Sequence, residues 1–206
     1  MQMPVPVVPR TLEELAELSN PQPTKGGQSE ALYWELFDTA TYADNATTRL
    51  EFFTTARGNP RLSNLQGRGL PTPQYFEIYY VNLDVLQAPG NTDNYGDYWR
   101  LINGTGVAGA GTPTWTWDLA NKQTGQFPLR GLKGLGGITG FSTRAATEYA
   151  NNGTGFGGTF NFDGAMVIPP NQTFSIILDW PVPVNLSVGN VDLQVTMCGV
   201  LHRRVL

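Results

Sequence analysis

Histidine and cysteine are almost missing from this chain: its 206 residues include one of each, His202 and Cys198. One cysteine excludes any internal disulfide, a count that fits intracellular synthesis. One histidine excludes multi-histidine metal centres and leaves Ser-His-Asp chemistry dependent on a single ring beside the C-terminus. Cys198 and His202 are four apart, which on a strand puts them on one face about 13 Å from each other, too far to share a metal ion. The thiol is expected to be packing, and His202-Arg203-Arg204 a short solvated terminus. Positive charge is scarce as well. Thirteen Lys and Arg against seventeen Asp and Glu leave a formal net charge of −4, which argues against a chain that wraps nucleic acid. No window approaches the apolar length of a membrane span. "MQMPVPVVPR" has no early basic residue followed by an apolar run, so no signal peptide is expected. No glycine-lysine pair precedes Ser or Thr, which removes a P-loop.

Glycine and proline, by contrast, are plentiful: 24 and 15 residues in a chain that is 40% hydrophobic. That mixture predicts short strands joined by long, turn-rich loops. Residues 1–27 read as an N-terminal arm. Pro4, Pro6 and Pro9 hold its start extended. In "TLEELAELSN", Thr11 and Glu14 have capping-box spacing, and Leu12, Leu15 and Ala16 share one face of a short helix. Such a helix is too short to be stable alone, so it is expected to dock on something. "NPQPTKGG" follows as a linker.

From residue 28 to the end, period-two patterns predict one all-β domain. "ALYWELF" sets Leu32, Trp34 and Leu36 against Tyr33, Glu35 and Phe37, and "TRLEFFTT" sets Leu50, Phe52 and Thr54 on one side. In "YFEIYYVNLDVL", Phe76, Ile78 and Tyr80 oppose Tyr75, Glu77 and Tyr79. "DYWRLI" and "TWTWDLA" are further strand candidates, whereas "FSTRAATEYANN" suits a helix or a strand equally. Phe174, Ile176, Leu178 and Trp180 alternate strictly, as do Val191, Leu193, Val195 and Met197. Short strands at such spacing indicate a sandwich or closed barrel.

Few constellations carry chemistry. Gly104, Gly106 and Gly109 match G-x-G-x-x-G, but "TPTWTW" follows where a phosphate-binding helix would have to begin, so a loop is expected. Glu35, Glu51 and Glu77 sit mid-strand. A glycosidase would need two of them facing one cleft; a one-sided strand simply turns them to water. Trp115 and Trp117 share a strand face, and Tyr95, Tyr98 and Trp99 cluster after a loop. Exposed rings would stack on sugars, buried ones would serve a core or interface. Asp93 and Asp97 match no EF-hand spacing for Ca²⁺. Five N-x-S/T sequons, at Asn45, Asn103, Asn152, Asn171 and Asn185, read as turn asparagines.

Three stretches carry a resemblance. "SNLQGRGLPTPQYFEI" opening an aromatic strand, the late "IPPNQTFSIILDW", and the terminal "VDLQVTMCGVLHRRVL" resemble capsid proteins of tailless icosahedral bacterial viruses. Gly199, Val200, Leu201, Arg203, Arg204 and Val205 fit that group's ending, a strand closing on a small residue and then a hydrophobic-Arg-Val terminus. The resemblance covers the first third of the barrel and the segment from Ile168 onward. It implies a jelly roll of about eight strands, here a single barrel, because the chain is too short for two. It implies a non-enzymatic, cofactor-free capsid protein of the virion, made in the host cytoplasm. Such a protein self-assembles through its barrel loops and its arm (Thr11, Leu12, Glu14, Leu15) as a lattice or vertex subunit. Implied partners are copies of itself, other capsid proteins, and a membrane or second protein layer beneath, with no strong direct nucleic-acid binding. The alternative is a carbohydrate- or receptor-binding jelly roll such as a viral spike, with Tyr98, Trp99, Trp115 and Trp117 exposed in a groove.

Overall fold

The structure, a computed structural model, describes residues 29–65, 67–86, 100–104, 111–120, 122–132, 138–144, 147–152, 160–187 and 189–204. The predicted arm and its helix residues Thr11, Leu12, Glu14 and Leu15 lie outside them, as do Asp93, Tyr95, Asp97, Tyr98 and Trp99. The described strands are β1 (Ser29–Tyr42), β2 (Arg49–Phe52), β3 (Tyr75–Leu86), β4 (Thr114–Leu119), β5 (Lys122–Pro128), β6 (Ile138–Arg144), β7 (Thr147–Asn152), β8 (Phe160–Ile168), β9 (Phe174–Asp179) and β10 (Val191–Arg204). Eight of them form two antiparallel four-stranded sheets, ordered β1-β10-β3-β8 and β2-β9-β4-β5, while β6 and β7 make a separate hairpin. The chain changes sheet at almost every connection. That is the double Greek-key order of a jelly-roll sandwich, as expected.

Alternation explains the core. Leu36 and Tyr42 of β1, Phe76, Ile78, Val81 and Leu83 of β3, and Leu193, Val195 and Met197 of β10 point inward from one sheet. Phe52, Trp115, Trp117, Ile176 and Leu178 meet them from the other. β9 reads buried-intermediate along its whole length. The pairing of β1 with β10 runs without a break from Ser29↔Arg204 to Tyr42↔Val191.

Two expectations about strands need correction. In β3, Tyr80 does not share a face with Ile78. The register against β10 shifts between Cys198 and Gly199, so Ile78 opposes Gly199, Tyr80 opposes Cys198, and Tyr79 is the extra residue of a bulge. One inserted residue reverses the alternation beyond it. Gly199 permits this, because a Cβ there would collide with the carbonyl oxygen of Glu77. The second correction concerns "DYWRLI": residues 100–103 form a helical turn rather than a strand. Gly104 N–H donates to the Arg100 carbonyl at 2.8 Å, and Gly104, at φ 87°, ends the turn in the left-handed conformation glycine favours. Among the described residues no phosphate-binding helix follows, since residues 111–113 lead directly into β4. Of the ambiguous "FSTRAATEYANN", residues 141–144 and 147–152 lie in the paired strands β6 and β7. Asn45 and Asn171 adopt φ of 50° and 58°, as turn asparagines do.

Trp180 joins several of these parts. Its Nε1–H donates to the Leu101 carbonyl at 2.8 Å, and its ring meets Tyr42 edge-on at 4.8 Å. Trp180→Ala is expected to lower stability by about 3–5 kcal/mol, measured as the shift in urea midpoint. A change near zero would contradict the burial of this ring.

Candidate subunit interface

β1 is an edge strand, and an edge strand presents unpaired backbone groups to any chain that can reach them. Part of this edge is covered from within. Asn64 donates its own N–H to the Phe37 carbonyl at 3.3 Å, accepts the Phe37 N–H on Oδ1 at 2.9 Å, and donates from Nδ2 to the Glu35 carbonyl. Asp38 bridges to Ser63 beside it. Phe37 turns both backbone groups to that edge, so Tyr33 and Ala31, of the same parity, turn theirs the same way. Among the described residues no hydrogen bond covers that stretch. Among the described residues it carries the most exposed large hydrophobic side chains, Tyr33 at 78% and Trp34 at 46%.

Two depressions adjoin this end of β1. One, of about 490 Å³, lies on the outer face and is lined by Tyr33, Trp34, Glu35, Phe37, Tyr80 and Cys198, among others. The second, of about 600 Å³, opens where the sheets part. Its floor is Leu32, Leu36, Leu65, Leu70 and Leu201, and its rim includes Arg68 and Arg203. Trp34 and Asn64 line both. Arg203 is held by Glu30 across the β1–β10 pair at 2.8 Å.

Behind these depressions the outer face of the sheet is not solvated as expected. Glu77 is 0% and His202 2% exposed, with His202 Nε2 3.4 Å from Glu77 Oε2. That is close enough for ionic attraction but short of hydrogen-bond geometry. Burial depresses the imidazole pKa, and the opposing pull of Glu77 does not offset it. Of the expected solvated terminus, His202 is therefore a buried ring, while Arg203 is exposed. Cys198 is packing, as expected: burial, then Glu35, pushes its thiol up to about 12, and Sγ lies 3.7 Å from Glu35 Oε1. Such a thiol is inert.

The other candidates disperse. Trp115 and Trp117, expected on the alternative reading to line an exposed groove, are 0% and 1% exposed. They face inward from β4, Trp115 against Phe127 at 5.1 Å and Trp117 against Phe174 at 6.0 Å. The alternation was right and the side was the core. The three glutamates do not share a cleft. Glu35 is exposed on the outer face of one sheet and Glu77 is buried, while Glu51 lies on the other sheet, paired with Arg49 at 2.9 Å. Among the described residues, no group of three His, Cys, Asp or Glu could hold a metal ion.

Sequence reasoning missed the importance of Tyr33 and Trp34. The signal was present, because consecutive large aromatics on a strand must point to opposite faces, and one core cannot bury both. It also missed Asp38. This carboxylate is fully buried, accepts Arg57 Nε at 2.9 Å and Nη2 at 3.2 Å, and receives the Phe53 N–H at 2.6 Å.

His202 generates a pH dependence. The folded pKa lies below that of the unfolded ring, so near and below that ring's ordinary value of about 6.5 the unfolded state binds more protons. Stability is complete above this range and is lost as pH falls toward the lower folded value. Urea midpoints between pH 7.5 and 5 are expected to decline less steeply in His202→Asn than in the native chain. Parallel curves would contradict the assignment.

Compared with known proteins, the sequence matches no family model and no curated protein.

Proposed function

We propose that the chain is a structural subunit of an icosahedral viral capsid, associating with copies of itself through the open end of β1. The observation that carries the reading is Tyr33 and Trp34, exposed on opposite faces of one edge strand beside an apolar depression. Large exposed aromatics of this kind anchor protein interfaces. The step from self-association to a shell rests on the jelly-roll strand order, which is an analogy of fold, and on the sequence resemblance. The net charge of −4 fits a subunit whose genome is neutralised by another component, or which rests on a membrane or second protein layer.

Light scattering of the full chain across protein and salt concentrations, with negative-stain imaging of the same fractions, tests this. Discrete trimers, pentamers or shell-like particles are expected. A monomer under every condition would contradict self-assembly. Tyr33→Ala/Trp34→Ala is expected to leave the urea midpoint nearly unchanged, within about 0.5 kcal/mol, while lowering the assembled fraction. Equal assembly by this variant would move the interface elsewhere.

A further inference from the structure

Among the described residues Glu35 has three aromatic neighbours and no counter-ion. The register of β1, β10 and β3 puts Glu35, Cys198 and Tyr80 in one row across the outer face of the sheet. Tyr33 and Phe37 flank Glu35 on the same face of β1, each about 7 Å away along the strand. Tyr80 stands two strand spacings off, about 10 Å, with the small side chain of Cys198 between. All five line the outer-face depression of about 490 Å³.

The charge of Glu35 acts on its surroundings. The Cys198 thiol is its hydrogen-bond donor, Sγ 3.7 Å from Oε1, and a neutral thiol offsets none of the charge. Burial first, then Cys198 and Glu35, push the Tyr80 hydroxyl up as well. The Asn64 amide, which could serve a neutral polar ligand, is already spent on the backbone of Phe37 and Glu35. What the depression offers is ring faces around one anion. Both attract a cation. A cation seated over the Cys198 row lies about 5 Å from the lines of β1 and β3, inside the ~6 Å over which a ring face is felt.

The kind of cation follows from the acceptors. An ammonium brings three N–H donors and a guanidinium five, whereas Glu35 is the one anionic acceptor lining the depression. A quaternary ammonium brings no donors, and its methyl groups bury well against aromatic faces.

We propose that this depression binds a quaternary ammonium group, paired with Glu35 and faced by Tyr33, Phe37 and Tyr80. The inference goes beyond the capsid reading and does not depend on it. The depression opens on the outer face of the sheet, whereas the uncovered backbone groups of β1 point sideways from its edge. Association along that edge therefore leaves the site open.

Saturation-transfer NMR on the full chain at low salt tests this, with choline and its neutral tert-butyl isostere, in which carbon replaces the nitrogen. Choline is expected to bind, and the isostere about fivefold more weakly. Glu35→Gln and Tyr33→Leu, both at exposed positions, are each expected to weaken choline about fivefold with the urea midpoint unchanged. Glu51→Gln, on the other sheet, is expected to leave binding as it was. Equal binding of the two probes would reduce the site to an apolar patch and overturn the proposal. Absence of choline binding, or binding indifferent to Glu35→Gln, would overturn it too. Phosphatidylcholine vesicles then distinguish the source of the group. Flotation with the vesicles that is lost in Glu35→Gln assigns a lipid headgroup, and choline binding without flotation assigns a soluble ligand.

Discussion

The pairing of β1 with β10 is the constraint on which the rest of the structure depends. It joins the first and last described strands over their whole length, so β1 enters the sheet only when residues about 150 positions apart have met. Closing a loop of that length has a large entropic cost, recovered through non-local contacts made together. Side chains fasten both ends of the ladder. Arg203 pairs with Glu30 at one, and Thr41 donates to Asp192 at 2.6 Å at the other. Gly199 sits where β10 must accept β3 closely enough for the bulge, and that bulge sets the faces of Cys198 and Tyr80. β10 thus determines both what enters the core and what lines the outer-face depression.

A second layer of constraint fixes the loops. Phe53 is held at φ 65°, a conformation unfavourable for a bulky residue. Its N–H is bound by Asp38, and its ring meets Phe174 at 5.4 Å. Arg57 neutralises Asp38, so the carboxylate secures the exit from β2 without an unpaired buried charge. At the other end, the Tyr42 hydroxyl donates to the Thr47 carbonyl and accepts the Val184 N–H, both at 2.8 Å. Asp44 accepts the Leu186 N–H. The turn after β1 and the segment before β10 are therefore locked to each other. These bonds leave the N-terminal end of β1 as the part of the strand with the least internal cover among the described residues.

The class of fold and the inward positions of β9 and β10 were legible in the sequence, because strict alternation reports a face directly. Alternation does not report which face is covered. That is why Trp115 and Trp117 suited both a binding surface and a core, and why Glu77 and His202 read as solvated. Tyr80 was misplaced because a single inserted residue reverses parity, and only the Gly199 contact reveals the insertion. "DYWRLI" failed for a different reason. Its apolar residues are too few to separate a helical turn from a strand, and Leu101 and Ile102 are buried in either case. Asp38 was invisible, since its partners lie 15 and 19 residues away in a loop.

A jelly roll with a buried core, dispersed carboxylates and an aromatic edge uncovered among the described residues is suited to adding surface to surface. The central claim is that the stretch from Ser29 to Phe37 becomes an interface. Hydrogen exchange of its backbone amides, followed as protein concentration is raised, tests that most directly. The account predicts that protection at Tyr33 and its neighbours increases with concentration while the core of β9 stays unchanged. Exchange at Tyr33 that is independent of concentration, in samples that have nonetheless associated, would contradict it.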